Sequence, residues 1–118
     1  MRIRRTAAAV AALLLVAGWV NAQSPEPRIE EAVALDNDAV RTVVLTYPPG
    51  ADSGIHINLG PEMTLVQEGE ITLYTAKGGK EALGPGVVHW LPAGTTHLAR
   101  NEGSRPARFF SVLLKRCE

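Results

Sequence analysis

The sequence has almost no cysteine: Cys117 stands alone, so an internal disulfide is excluded, and near the C-terminus it reads as an inert free thiol. Aromatic residues are scarce, at 5% of the chain, so a core must come mainly from aliphatic side chains. Neither sign of charge prevails, with 12 basic and 12 acidic residues, which leaves nucleic acid without the basic surface it requires. Long apolar runs are missing except at residues 7–20, and no later stretch has both the length and the 3.6-residue period of an amphipathic helix. Residues 30–36 have room for a helical turn or two at most.

The single apolar run follows Arg2, Arg4 and Arg5 and ends in Val20-Asn21-Ala22, the small-x-small spacing that signal peptidase accepts. It falls short of the roughly 20 residues of a spanning helix. Cys117 lies at the wrong end for a lipoprotein anchor, and the residues after Arg4-Arg5 lack the rest of a twin-arginine signal. Residues 1–22 therefore read as a cleaved signal peptide. The expected protein is secreted or periplasmic, with no stable membrane insertion after cleavage.

Removing 22 residues from 118 leaves 96, enough for one domain: a loose leader at residues 23–38 and a barrel at residues 39–116. Three of the 12 basic residues and none of the 12 acidic ones leave with the signal, so nine against 12 gives a mature net charge of −3. A domain this small buries a modest fraction of its surface, so a bound metal or a dimer partner is a useful source of added stability.

From residue 40 the chain is a succession of short β-branched runs at 40–47, 55–59, 63–67, 70–75, 87–91, 97–100 and 107–114. Gly and Pro clusters separate them, among them Pro48-Pro49-Gly50, Gly84-Pro85-Gly86 and Pro92-Ala93-Gly94. In the first run Arg41, Val43, Leu45 and Tyr47 share one face. An all-β antiparallel barrel or jelly roll is the economical architecture, because closing the sheet removes edges that so many short strands would expose.

Residues 50–101 contain most of the side chains able to bind a metal: His56, Asn58, Glu62, His89 and His97. His56 and Asn58 are two apart, which on a strand sends both to the same face. Two spaced patterns stand out. Gly50, His56, Asn58, Glu62 and Gly69 form the first, and Gly86, Pro92, Gly94, His97 and Asn101 the second.

These patterns resemble the two motifs of the cupin superfamily, matching nine of ten anchor positions, with Asn58 where most relatives have a second histidine. The likeness to small stand-alone cupins covers roughly residues 35–114. It implies a single double-stranded β-helix, a jelly-roll barrel whose inner face carries His56, Glu62 and His97 around one divalent metal ion. Asn58 is then a weak ligand or none. The glycines Gly50, Gly69, Gly86 and Gly94 take backbone roles at turns, Pro92 presets the turn that delivers His97, and Asn101 stitches a loop.

With Asn58 replacing an imidazole, the strong donors are two histidines and a carboxylate, a set associated with open coordination positions and suited to Fe(II), Mn(II) or Zn(II). The function this implies is a metal-dependent small-molecule enzyme of dioxygenase, isomerase or lyase type, with Glu62 and His89 as candidates for proton transfer. The alternative is a non-catalytic cupin that binds or senses a small ligand, with or without metal. Tyr47, Thr64, Val66 and Trp90 are expected in the pocket wall, and Met63, Leu65 and Leu73 in the core or wall. His89, on the strand face opposite Trp90, is expected to be structural, packed or hydrogen-bonded near that residue, with a place in the pocket as a proton donor or acceptor as the alternative. Phe109 and Phe110 put one ring on each side of their strand, one into the core and the other available to a homodimer interface.

Overall fold

The computed structural model describes residues 26–115; the signal segment and Cys117 lie outside them. Nine strands follow one another: β1 (Glu30–Asp36), β2 (Val40–Tyr47), β3 (His56–Ile57), β4 (Glu62–Glu68), β5 (Ile71–Thr75), β6 (Lys80–Leu83), β7 (Val88–Leu91), β8 (Thr96–Arg100) and β9 (Ala107–Leu114). They build a five-stranded sheet ordered β1-β2-β9-β4-β7 and a four-stranded sheet ordered β3-β8-β5-β6. All pairings are antiparallel, and the two sheets enclose a cavity as a jelly-roll barrel.

β2 forms where β-branched residues fill the run ahead of Pro48-Pro49-Gly50, and β9 where an aliphatic and aromatic run follows Gly103 to Pro106; they pair over their full eight residues from Val40↔Leu114 to Tyr47↔Ala107. β1 corrects the expectation of helical turns at this segment. Glu and Ala favour helix locally, but β2 offers a row of unpaired backbone groups, and Glu30–Asp36 satisfies them from Glu30↔Thr46 to Asp36↔Arg41. All seven residues of β1 are exposed, so burial imposes no alternation on them. The sheet thus begins ahead of residue 39.

Register places side chains at levels along the inner face of the larger sheet. One level holds Asp36, Arg41, Leu113, Glu62 and Leu91. The next holds Val33, Val43, Ser111, Thr64 and His89. Below them Leu45, Phe109 and Val66 lead into a closed, apolar end where Tyr47, Ile71, Leu83 and Ala107 pack together. Tyr47 and Phe109 meet there with ring centroids 5.1 Å apart.

Asn101 closes that end. It is 0% exposed, and its amide nitrogen donates to the Tyr47 and Arg105 carbonyls at 2.8 Å each while its Oδ1 accepts from the Gly103 N–H at 2.9 Å. A buried amide with these partners is satisfied and fixes three segments at once. Gly69 has a steric reason to be glycine: its φ is +70°, and a Cβ there would lie 2.4 Å from the Pro106 carbonyl oxygen.

Candidate functional site

The open end of the barrel leads into a cavity of about 360 Å³, lined from both sheets by His56, Asn58, Glu62, His89, His97 and Arg41 among others. His56 and His97 are the centre of it. They occupy directly opposed positions of β3 and β8, and their ring centroids are 4.0 Å apart. His97 is 3% exposed and His56 half-buried.

Each ring is held the same way. His56 Nδ1 lies 3.0 Å from the Gly54 carbonyl oxygen, and His97 Nδ1 lies 2.8 Å from that of Thr95. A carbonyl can only accept, so Nδ1 carries a proton in both rings, and in the uncharged form of each ring Nε2 keeps a lone pair. This tautomer and anchoring are the usual arrangement behind a metal-ligating imidazole.

The loops that supply those carbonyls are themselves fixed. Asp52 Oδ1 accepts from the Gly54 N–H at 2.6 Å, and Asp52 Oδ2 accepts from Arg100 Nε and Nη2 at 2.9 and 2.6 Å. The Gly54 N–H and the Arg100 guanidinium hold the Asp52 carboxyl below its ordinary value. Ser53 adds a hydroxyl bond to the Gly54 carbonyl and accepts the Ala99 N–H, both at 2.9 Å. On the other motif, the Pro92 carbonyl accepts the Thr95 hydroxyl at 2.8 Å, and the Gly94 N–H donates to the Asn58 carbonyl at 2.9 Å, joining the two loops.

Glu62 lines the same cavity, but its carboxylate is engaged. Asn58 Nδ2 donates to Oε2, and the Thr64 hydroxyl donates to Oε1 at 3.2 Å. With the side chains in these positions, no group of three or more His, Cys, Asp or Glu among the described residues is placed to hold a metal ion. The two imidazoles fit a metal by their donor chemistry; Glu62 is turned to Asn58 and Thr64 instead.

The remaining expectations fall on both sides of the barrel wall. His89 faces inward, opposite Thr64, with Nε2 3.1 Å from Glu81 Oε2, which links β7 to β6 across the two sheets. Its polar partner is thus Glu81, and it lines the cavity on the face opposite Trp90, as strand neighbours alternate. Trp90, expected in the pocket wall, points outward and is 54% exposed. Met63 and Leu65 share that outer face. Val66 is buried in the core below the cavity, and Tyr47, Thr64 and Leu73 line it. Burial pushes the Tyr47 hydroxyl up to about 12, so it remains neutral across physiological pH.

Motif reading missed Arg41, Asp52, Ser53 and Ser111. Arg41 reaches the cavity at the level of Glu62 and bonds Glu31 at 2.9 Å and Asp36 at 3.0 Å, pinning β1 across the barrel mouth. Its signal was present in the sequence, since it shares the phase of Val43, Leu45 and Tyr47.

A model of the cupin domain matches residues 43–113. Among solved structures, a cupin domain from Bordetella pertussis is similar at 25% identity over 77% of this chain and 97% of its own, with a TM-score of 0.67. A cupin superfamily protein from Desulfitobacterium hafniense gives 19% identity, 77% and 81% coverage and a TM-score of 0.70. A predicted oxalate decarboxylase from Thermotoga maritima gives 24%, 75% and 81%, and 0.68. No curated protein matches the chain significantly. The family model spans more than half of the sequence and the solved relatives share its jelly roll, so the chain belongs to the cupin superfamily.

Proposed function

We propose that this cupin is an exported small-molecule enzyme whose cavity centres on one divalent metal, Fe(II), Mn(II) or Zn(II), held by His56 and His97 with Glu62 as the carboxylate donor. The observation that carries this reading is the matched anchoring of the two rings, with both Nδ1 atoms on backbone carbonyls and neither Nε2 hydrogen-bonded among the described residues. When bound, such an ion supplies Lewis acidity or a site for oxygen, the chemistry behind dioxygenase, isomerase and lyase reactions alike.

The chain's own groups do the rest. Val43, Leu45, Leu91 and Phe109 make the cavity wall apolar and exclude water from a small substrate. Asn58 and Thr64 hold the Glu62 carboxylate by donating to its two oxygens, so Glu62 must give up one of these bonds to serve as a metal ligand, and in a metal-free cavity it is the group placed to take a proton. His89, tied to Glu81, sits one level deeper as a second proton-carrying group. The Asn58 bond to Glu62 favours a second reading, a cavity that binds or senses a small ligand without metal.

Elemental analysis of the purified protein separates the two. The metal reading expects close to one equivalent of a single divalent ion and its loss in His97→Ala; equal metal content in that variant, or none after reconstitution with each of the three ions, would leave the ligand-binding reading. Export is tested on the same preparation: N-terminal sequencing of periplasmic protein should begin at Gln23.

A further inference from the structure

We infer that Arg41 is the binding group for a ligand carboxylate, so that the cavity takes small carboxylic acids with a short apolar body. The inference rests on the reading of the cavity as a small-molecule site and names the class of molecule it takes. Among the described residues that line the cavity, Arg41 is the only lysine or arginine. It stands at an inward position of β2, in the column it shares with the apolar Val43 and Leu45. A charge placed there gives up hydration, and holding β1 does not by itself require it, because Lys115 already bonds Asp36 at 2.6 Å.

The guanidinium has donors to spare. It carries five N–H groups, of which Nη2 donates to Glu31 at 2.9 Å and Nη1 to Asp36 at 3.0 Å, and no other hydrogen bond leaves it among the described residues. Both partners belong to β1, whose seven residues are all exposed, and ion pairs this open to water are individually weak. A carboxylate inside the cavity competes with Glu31 on better terms, since the same charge-assisted bonds strengthen away from bulk water and the planar fork accepts two oxygens side by side. A phosphate carries more charge and more acceptor oxygens, and would call for further cations that the lining does not supply.

The register sets the rest of the molecule. Arg41 and Glu62 pair with Leu113 from its two sides, so two strand spacings, about 9.6 Å, separate their backbones. That span suits a ligand whose carboxylate meets Arg41 while an atom a few bonds away lies before Glu62 and the two imidazoles. Below this level Val43, Leu45 and Phe109 offer only apolar contact, which selects a hydrocarbon body. The volume of about 360 Å³ is at the small end of the range of about 300–1,000 Å³ for ligand sites, so that body is short.

Titration calorimetry of the whole protein as purified tests this, with hexanoate and phenylacetate set against hexanamide and phenylacetamide. The acids are expected to bind at least about 10-fold more tightly than their amides, and Arg41→Met to remove that preference. Glu31→Gln should move the other way, tightening acid binding about threefold by taking away the competing carboxylate. The preference should persist after dialysis against a chelator, which separates Arg41 from a metal ion as the group that holds the acid. A measurement on the wild type covers the case in which Arg41→Met does not fold: the Arg41 Nε–H resonance should shift with phenylacetate and stay in place with phenylacetamide. No acid binding up to about 10 mM, equal affinity for acid and amide, a preference that survives Arg41→Met or vanishes with the chelator, or an unmoved Arg41 resonance would each overturn the inference. The metal reading would be untouched by any of these, since it stands or falls on the metal content of His97→Ala.

Discussion

The two ends of the barrel are built by opposite means. The closed end holds Tyr47, Val66, Ile71, Leu83 and Phe109 by packing, with Asn101 satisfying the few polar groups trapped there. The open end holds His56, His97 and Glu62 by hydrogen bonds to backbone and short polar side chains, in a cavity that packing leaves unfilled. The packed core therefore resides at one end and the candidate site at the other, and substitutions should separate the two.

The largest effect belongs to the closed end. Phe109→Ala removes a ring that is 3% exposed and packed at a tilt against Tyr47, and should cost about 3–5 kcal/mol in denaturant unfolding. A loss under 1 kcal/mol there would break the division between the ends. Asn101→Ala leaves the Tyr47 and Arg105 carbonyls and the Gly103 N–H without their partner, and should cost about 1–3 kcal/mol by the same measurement.

Asp52→Asn sharpens the contrast from the open side. Asp52 does not reach the imidazoles; it holds the Gly54 turn whose carbonyl anchors His56, and Arg100 holds Asp52 in turn. Removing its charge should leave the unfolding midpoint nearly unchanged yet weaken Zn(II) binding about 10-fold, the effect of loosening a ligand's outer partner. A matching loss of stability and affinity would make Asp52 a structural residue only.

The smallest effect concerns β1. The Lys115 ammonium, bonded to Asp36 at 2.6 Å, and then the Arg41 guanidinium hold the Asp36 carboxyl below its ordinary 3.8. Because the folded value is the lower one, the bridge contributes fully above the ordinary carboxyl range and is lost as pH falls through the folded value. The bridge is solvent-exposed, so the consequence is local. Amide exchange in Glu30–Asp36, corrected for its intrinsic pH dependence, should rise below about pH 4 while that of β9 does not; equal change in both strands would show that β1 is not separately pinned.

The sequence made some of this legible and withheld the rest for physical reasons. β2 and β9 were readable to the residue, because a β-branched run stops at Pro48-Pro49-Gly50 in the one and an aliphatic and aromatic run starts after Gly103 to Pro106 in the other. β1 was not, since a fully exposed edge strand has no burial pattern and its Glu and Ala residues speak for helix. β6 escaped for a related reason, with four residues and only Leu83 buried. The faces of β7 were ambiguous because both are largely apolar: Trp90 read as pocket wall until the register, Met63↔Trp90 and Thr64↔His89, assigned Met63 and Trp90 outward and Thr64 and His89 inward. The motif spacing named His56, Glu62 and His97, while the turn that holds His56 lies in Asp52, Ser53 and Gly54, residues whose role depends on β8 packing beside them.

The central claim is that backbone carbonyls of two loops fix two imidazoles with both Nε2 lone pairs presented to one cavity. Long-range proton–nitrogen NMR correlations of His56 and His97 test it most directly. The account predicts that both uncharged rings are protonated at Nδ1 and that both Nε2 signals move together when Zn(II) is added. Protonation of either ring at Nε2, or a response confined to one of them, would contradict it.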